Sequence, residues 1–321
     1  MKCKLIMLVA LVLSTVQAKA DLGASVMLRH NGQTKFYQWD QVQNAVDDAV
    51  DGDTIYLTEG NYAPFNIDKR IMVRGAGPAT VVEGRCIINI QNDQKLVMPV
   101  LDAISFTENV HVSRAGRQLT FRKVKMTNLT FWDNGDSNIE DMKLDRCDIT
   151  SMMLLPVRVR SLNCFNSKIN ELQPRDHTNG NLTFTHCNIA AITDTITAQF
   201  NSCVLVRASS QRGNYYYNCL KGCVFNNCIY RENTGTNNFY VDSSNTFINC
   251  KSVSHYTLDT NNVMNFSSTD YISSLDGTMI GCYGGQYPYN LNPDLPQLTK
   301  HAVKVDAANK KLNVTLTLDK K

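Results

Sequence analysis

Hydrophobic and polar residues follow two different rhythms along this chain. Over Gln38 to Val50 the apolar residues are Trp39, Val42, Ala45, Val46, Ala49 and Val50. That spacing marks one face of an amphipathic helix, with Asp40, Gln41, Asn44, Asp47 and Asp48 largely on the other. Asp51-Gly52-Asp53 ends it, because glycine takes the left-handed backbone that closes a helix. A short strand, Thr54 to Leu57, and a Glu59-Gly60-Asn61 turn come next. Beyond them the pattern changes to short β-like runs separated by Asn, Asp, Gly, Ser and Thr. The chain holds 33 asparagines, a residue that tolerates left-handed turns, so turns must be frequent.

One unit recurs within these runs: an apolar residue, a central residue three positions later, and often a second apolar residue after that. It reads Leu101-x-x-Ile104-x-Phe106, Phe121-x-x-Val124-x-Met126, Leu144-x-x-Cys147-x-Ile149, Phe184-x-x-Cys187-x-Ile189, Phe200-x-x-Cys203-x-Leu205 and Phe225-x-x-Cys228-x-Tyr230. Weaker copies centre on Cys164, Cys250 and Cys282. A period of roughly 22 residues with variable insertions predicts a solenoid whose coils stack strand on strand at ~4.8 Å. A sandwich does not return the same residue type to the same point of every unit. The expected fold is all-β: a single-stranded parallel β-helix of about ten coils, with an N-terminal amphipathic capping helix and a C-terminal β-hairpin. Exposed strand edges and an open core at either end invite aggregation, so both ends need a cap. The hairpin is expected from the alternation of Val303 and Val305, then Leu312, Val314, Leu316 and Leu318, around Ala308-Asn309-Lys310.

The opening motifs resemble those of pectin-lyase-like right-handed β-helix proteins. The matching text is Asn44 to Leu57, then Glu59-Gly-Asn-Tyr62, then Ile71-Met-Val-Arg-Gly-Ala-Gly77. About 40 residues carry this resemblance closely; the remainder shares only the coil pattern, including the Asn-Cys pairs at Asn163, Asn227 and Asn249. It implies a right-handed helix. It implies no activity, because one fold hosts many functions.

The first twenty residues have a different character. Lys2 and Lys4 precede an apolar run from Leu5 to Val16, and Ala18-Lys19-Ala20 supplies a small-x-small cleavage site. This is the pattern of a secretory signal peptide, too short for a membrane span. The expected layout is therefore a signal peptide over 1–20, an N-terminal strand and capping helix over 21–51, the β-helix over 52–285, and an extension with a hairpin over 286–321. The protein is expected to be exported, to the periplasm, the outer surface or the medium, and to carry no transmembrane segment. Removing 1–20 changes the charge. The whole chain has 32 Lys+Arg against 29 Asp+Glu, and Lys2, Lys4 and Lys19 account for the entire excess. A neutral protein gives no electrostatic case for a nucleic-acid partner. The oligomeric state is left open.

Eleven cysteines are present, one of them in the signal segment. Seven (147, 164, 187, 203, 228, 250 and 282) hold the central repeat position and are expected to form a ladder on one inner face. The favoured reading is a stack of buried free thiols, since cysteine packs as a small hydrophobe. A disulfide framework is the alternative in an oxidising compartment. Cys219-x3-Cys223-x4-Cys228 lacks the paired spacing of a zinc site.

Candidate chemistry is sparse. A lyase of this fold needs acidic residues holding Ca²⁺ and a Lys or Arg base; a hydrolase needs clustered Asp pairs. The pectate-lyase stretches Trp-Ile-Asp-His and Arg-x-Pro-x-x-Arg, and the polygalacturonase set, are not in this sequence. The remaining catalytic candidates are Asp136, Arg158, Arg160, Arg175 and His177. They lie among Asp133, Glu140, Asp141 and Asp176, at spacings near one or two coils. Asp133 and Asp136 are candidate Ca²⁺ ligands at a surface loop that lacks the distal glutamate of an EF-hand. Apart from that Ca²⁺, no cofactor is expected. Trp132, Tyr215, Tyr217 and Tyr240 are candidate sugar-stacking rings. Two functions follow as expectations. The first is a non-catalytic exported β-helix that binds a polysaccharide, a cell-surface glycan or another envelope component along its side. The second is a polysaccharide lyase or glycoside hydrolase acting on an acidic polysaccharide.

Overall fold

The computed structural model describes residues 24–90, 100–115, 118–131, 139–156, 158–175, 179–212, 215–231, 243–254, 257–258, 264–265, 279–284, 297–306 and 311–319. The expected signal peptide lies outside them. The chain divides into two compact units, Met1–Tyr289 and Asn290–Lys321. The second unit, taken by itself, is the expected antiparallel hairpin of Gln297–Asp306 and Lys311–Asp319, with Val303 opposite Val314 and Val305 opposite Leu312.

The first unit is a parallel β-solenoid. Ten parallel strands stack in one long sheet, from Thr54–Leu57 to Thr246–Ile248, and ten in a second, from Gly60–Tyr62 to Lys251–Val253. About eight turns thus have a parallel neighbour on both sides, and the expected count of ten is reached only with the two terminal rungs. In the early coils a third short strand follows the second: Asn66–Ile67, Cys86–Ile90 and Val110–Ala115 stack in turn. From Lys125–Phe131 onward the second and third strands fuse, and the register shift between Met126 and Asn128 marks the bend between them.

Alternation decides which residues fill the interior. In the first sheet Leu101, Phe121, Leu144, Cys164, Phe184, Phe200, Phe225 and Phe247 are register partners from coil to coil. The last four rings stack, with centroids 5.2, 4.9 and 4.6 Å apart. Each such pair contributes roughly 0.5–1.5 kcal/mol beyond its burial.

Two residues after this column each coil from Leu101 onward turns a corner on a left-handed residue. Ala103, Lys123, Arg146, Asn166, His186, Ser202, Asn227 and Asn249 all have φ between 47° and 56°. Their N–H groups continue the ladder, as when Lys123 donates to the Asp145 carbonyl at 2.8 Å and Asn227 to Ile248 at 2.9 Å. The next residue points inward, and the cysteine ladder occupies that position. Its members are Ile104, Val124, Cys147, Ser167, Cys187, Cys203, Cys228 and Cys250, each one residue past a left-handed corner.

Two of the seven expected cysteines are elsewhere. Cys164 pairs with Leu144 and Phe184, in the aromatic column, and Ser167 takes the ladder place. Asn163-Cys164 is thus a strand pair, unlike Asn227-Cys228 and Asn249-Cys250 at the corner. Cys282 sits in the segment 279–284, which crosses the coils instead of forming a rung: Gly281 donates to the Asn227 carbonyl at 2.7 Å, and His186 bonds the Gly284 carbonyl at 2.9 Å. All ten cysteines among the described residues are free thiols, and nine of them are buried.

The N-terminal cap also differs from expectation. The helix is shorter, Val42–Asp48, and buries Val42, Ala45 and Val46, with Ala49 just past its end. Trp39 and Val50 lie outside it and are about half exposed. In place of one N-terminal strand there are two, Ser25–His30 and Gln33–Gln38, paired antiparallel. Asn31 and Gly32, at φ 47° and 80°, make the left-handed two-residue turn that such a hairpin favours. Ser25–His30 pairs with Thr54–Leu57, so the polar outer strand becomes the sheet edge. Asp48 ties this strand to the helix by accepting from Lys35 and from the Tyr37 hydroxyl.

Candidate functional site

The same alternation that fills the core sets polar residues outside the first sheet in register. One outward column runs Lys143, Asn163, Thr183 and Gln199; the next runs Arg74, Asp102, Arg122, Asp145, Phe165, Thr185, Asn201 and Asn226. Gln118, Asp141, Ser161 and Asn181 add a third. Adjacent members are one strand spacing apart, ~4.8 Å.

The early end of this face is electrostatically closed. Asp102, with its side chain only 3% exposed, accepts from Arg74 Nε at 2.6 Å and from Arg122 Nε and Nη2 at 2.8 and 2.5 Å. Burial pushes its carboxyl up, but the bonds from Arg122 and Arg74 outweigh burial and hold it below the ordinary range. The middle of the face is open. Phe165 is half-buried on the outside, with the Lys143 ammonium 5.8 Å from its ring centroid. Asn163 beside it donates to the Ser161 hydroxyl at 3.0 Å, and Asn226 donates to Asn201 at 3.0 Å further along. A flat ring bordered by amides, hydroxyls and an ammonium can stack on one sugar face while its neighbours bond the ring hydroxyls.

The residues expected from sequence are only partly gathered. Arg160 is on the first sheet, largely exposed, with Nη2 4.0 Å from Glu140 Oε1. Asp141, next to Glu140, accepts from Gln118 at 3.5 Å. Arg175 follows the strand Lys168–Gln173 of the second sheet and donates to the Phe131 carbonyl at 2.7 Å, two coils back. Arg158 is in register with Asn179, its side chain outside what is described. The strand ends at Phe131, Ile139, Arg158 and Asn179, and Arg175 just past Gln173, flank the same corner, yet Arg160 and Arg175 address different partners there. Trp132, Asp133, Asp136, Asp176, His177 and Tyr240 lie outside the described residues. Tyr215 and Tyr217 belong to a strand that pairs antiparallel with the end of Val204–Arg212, opposite Arg212 and Ser210; their side chains are likewise outside.

Phe165, Lys143 and Arg122 were not singled out from sequence. The signal for them was parity: each is one residue from an inward repeat position and therefore faces out. Among the described residues, no group of three or more His, Cys, Asp or Glu is placed to hold a metal ion, and no helix is long and apolar enough to cross a membrane. No protein-family model, curated protein or solved structure matches the chain.

Proposed function

We propose that this is an exported, non-catalytic β-helix protein that binds a glycan along the outer face of its first sheet, around Phe165. The observation that supports this reading is the repeat of outward amide, hydroxyl and charged columns at one strand spacing, interrupted by a single half-exposed ring with a cation over it. That spacing is close to the length of one sugar unit, so a linear chain laid across the coils meets one outward row of side chains at each rung. The twenty-residue N-terminal pattern supports export.

The test is a glycan array probed with the full chain, followed by calorimetric titration of any hit. Phe165→Ala should weaken binding at least tenfold and Lys143→Ala several-fold, and EDTA should change neither. Binding that survives both substitutions refutes the reading. Release of unsaturated products or reducing ends from the same glycans, lost with Arg158→Ala, would replace it with the enzymatic one.

A further inference from the structure

At the capped end of the solenoid the N-terminal hairpin, the turn 50–53 and the first rung border an open cleft of about 590 Å³, with Arg29 exposed along its side. Its size is that of a small-ligand site. The lining includes Arg29, His30, Asn31, Asp53, Thr54 and Tyr56. Arg29 is the register partner of Thr54, and Met27 of Tyr56, so Arg29, Thr54 and Tyr56 share one face of the sheet.

The carboxylates here are already engaged. Asp53, 7% exposed, bonds His30 Nδ1 through Oδ1 at 2.8 Å and accepts the Val50 N–H through Oδ2 at 2.8 Å. Asp51 accepts the Arg70 N–H at 2.9 Å. His30 is fixed on its other side by Asn31, 3.0 Å from Nε2. Among the described residues the side chains of Arg29, Thr54 and Tyr56 have no hydrogen-bond or ion-pair partner. A Cβ built on Gly52, which has φ 97°, would meet nothing within 4 Å, so the floor is open at that point. A cleft whose carboxylates are already bonded, and whose guanidinium and two hydroxyls on one sheet face have no partner among the described residues, suits a ligand that brings acceptors, and the planar fork of arginine favours two oxygens on one centre.

We propose that this cleft binds an oxyanion, a carboxylate or a phosphate carried by a small ligand, with Arg29 as its principal partner and the Tyr56 and Thr54 hydroxyls as further donors. The site is separate from the glycan-binding face and does not rest on it.

The experiment is calorimetric and thermal-shift titration of the full chain with inorganic phosphate and, separately, acetate, with sodium chloride holding ionic strength constant. Saturable binding of at least one anion is expected, weakened about tenfold by Arg29→Gln and about threefold by Tyr56→Phe, and unchanged by Arg207→Gln on a distant coil. Response to phosphate alone, to acetate alone, or to both supports the site and assigns its preferred anion. No response beyond chloride overturns it. Binding that persists in both Arg29→Gln and Tyr56→Phe also overturns it. Tyr56→Phe keeps the ring and its packing, so the test survives a folding failure of the arginine variant.

Discussion

Replacing Cys228 separates two explanations of the cysteine ladder. One holds that the position only needs a small apolar side chain. The other follows from the hydrogen bonds: the left-handed corner leaves the N–H of the next residue without a ladder carbonyl, and the sulfur of the following coil accepts it. Cys203 N donates to Cys228 Sγ at 3.4 Å, and Cys228 N to Cys250 Sγ at 3.3 Å. Each thiol in turn donates to a carbonyl of the preceding coil, Cys228 to Phe200 and Cys250 to Phe225, both at 3.3 Å. Ser167 makes the same connection with oxygen, accepting from Cys147 N at 3.0 Å. Cys228→Ala orphans the buried Cys203 N–H, at a cost of about 1–3 kcal/mol. It also removes a volume near that of one methylene, about 0.8 kcal/mol more. The expected loss is about 2–4 kcal/mol. Cys228→Ser keeps an acceptor and a donor, as Ser167 does, and should cost less than about 1.5 kcal/mol. Urea unfolding of the full chain, followed by far-UV circular dichroism and compared at equal slope, measures both. Serine costing as much as alanine, or valine outperforming serine, would refute the hydrogen-bond account.

Other outcomes follow from the same geometry. Lys123 holds φ 54° at a half-buried corner, so Lys123→Gly should stabilise by about 1 kcal/mol, whereas Lys125→Gly, two residues on in a strand, should destabilise; paired melting curves check the sign. Asp102 has a depressed carboxyl pKa, so its ion pairs contribute fully above the unfolded value near 3.8 and are lost as pH falls through the folded one. Asp102→Asn should therefore cost about 2 kcal/mol at pH 7 and progressively less toward pH 3, and a pH-independent difference would contradict this. For Asp148 the sign is opposite: burial raises its pKa against the pull of Lys168 and Lys125, and Oδ1 is buried without a partner. Its ionised form costs stability at neutral pH, so Asp148→Asn should raise the midpoint at pH 7, with the gain shrinking as pH falls through the folded pKa. Burial pushes the Cys147 thiol up to about 12 and Cys223 to about 11, so neither should react with a thiol reagent at pH 8 until denaturant is added.

The fold was legible in the sequence because the interior of a solenoid repeats. Inward positions must meet the same packing demand in every coil, so Phe121, Leu144, Phe184, Phe200 and Phe225 recur with their partners three residues on. The capping helix was legible for the same reason, on the four positions that are buried. Its ends were not, since Trp39 and Val50 share the helical spacing while the backbone there has already turned.

The candidate site was largely illegible, because outward positions answer to solvent and carry no period. Phe165 follows a cysteine that a linear reading puts in the ladder. Spacings of 17 and 23 residues around Cys164 resolve, once coils are paired, into 20 and 20 around Ser167. Only the pairing of strands decides that register, and a change of one residue exchanges inside for outside. It likewise decides that Arg160 and Arg175, fifteen residues apart, reach Glu140 and Phe131 instead of each other. The sequence by itself determined a parallel solenoid with a capping helix at its N-terminal end and small inward side chains, many of them cysteine, along its repeat; the structure decided that those cysteines are free thiols. The tertiary structure decided which residues share a face, because turn lengths vary from coil to coil and the hydrogen bonds between coils fix who stands beside whom.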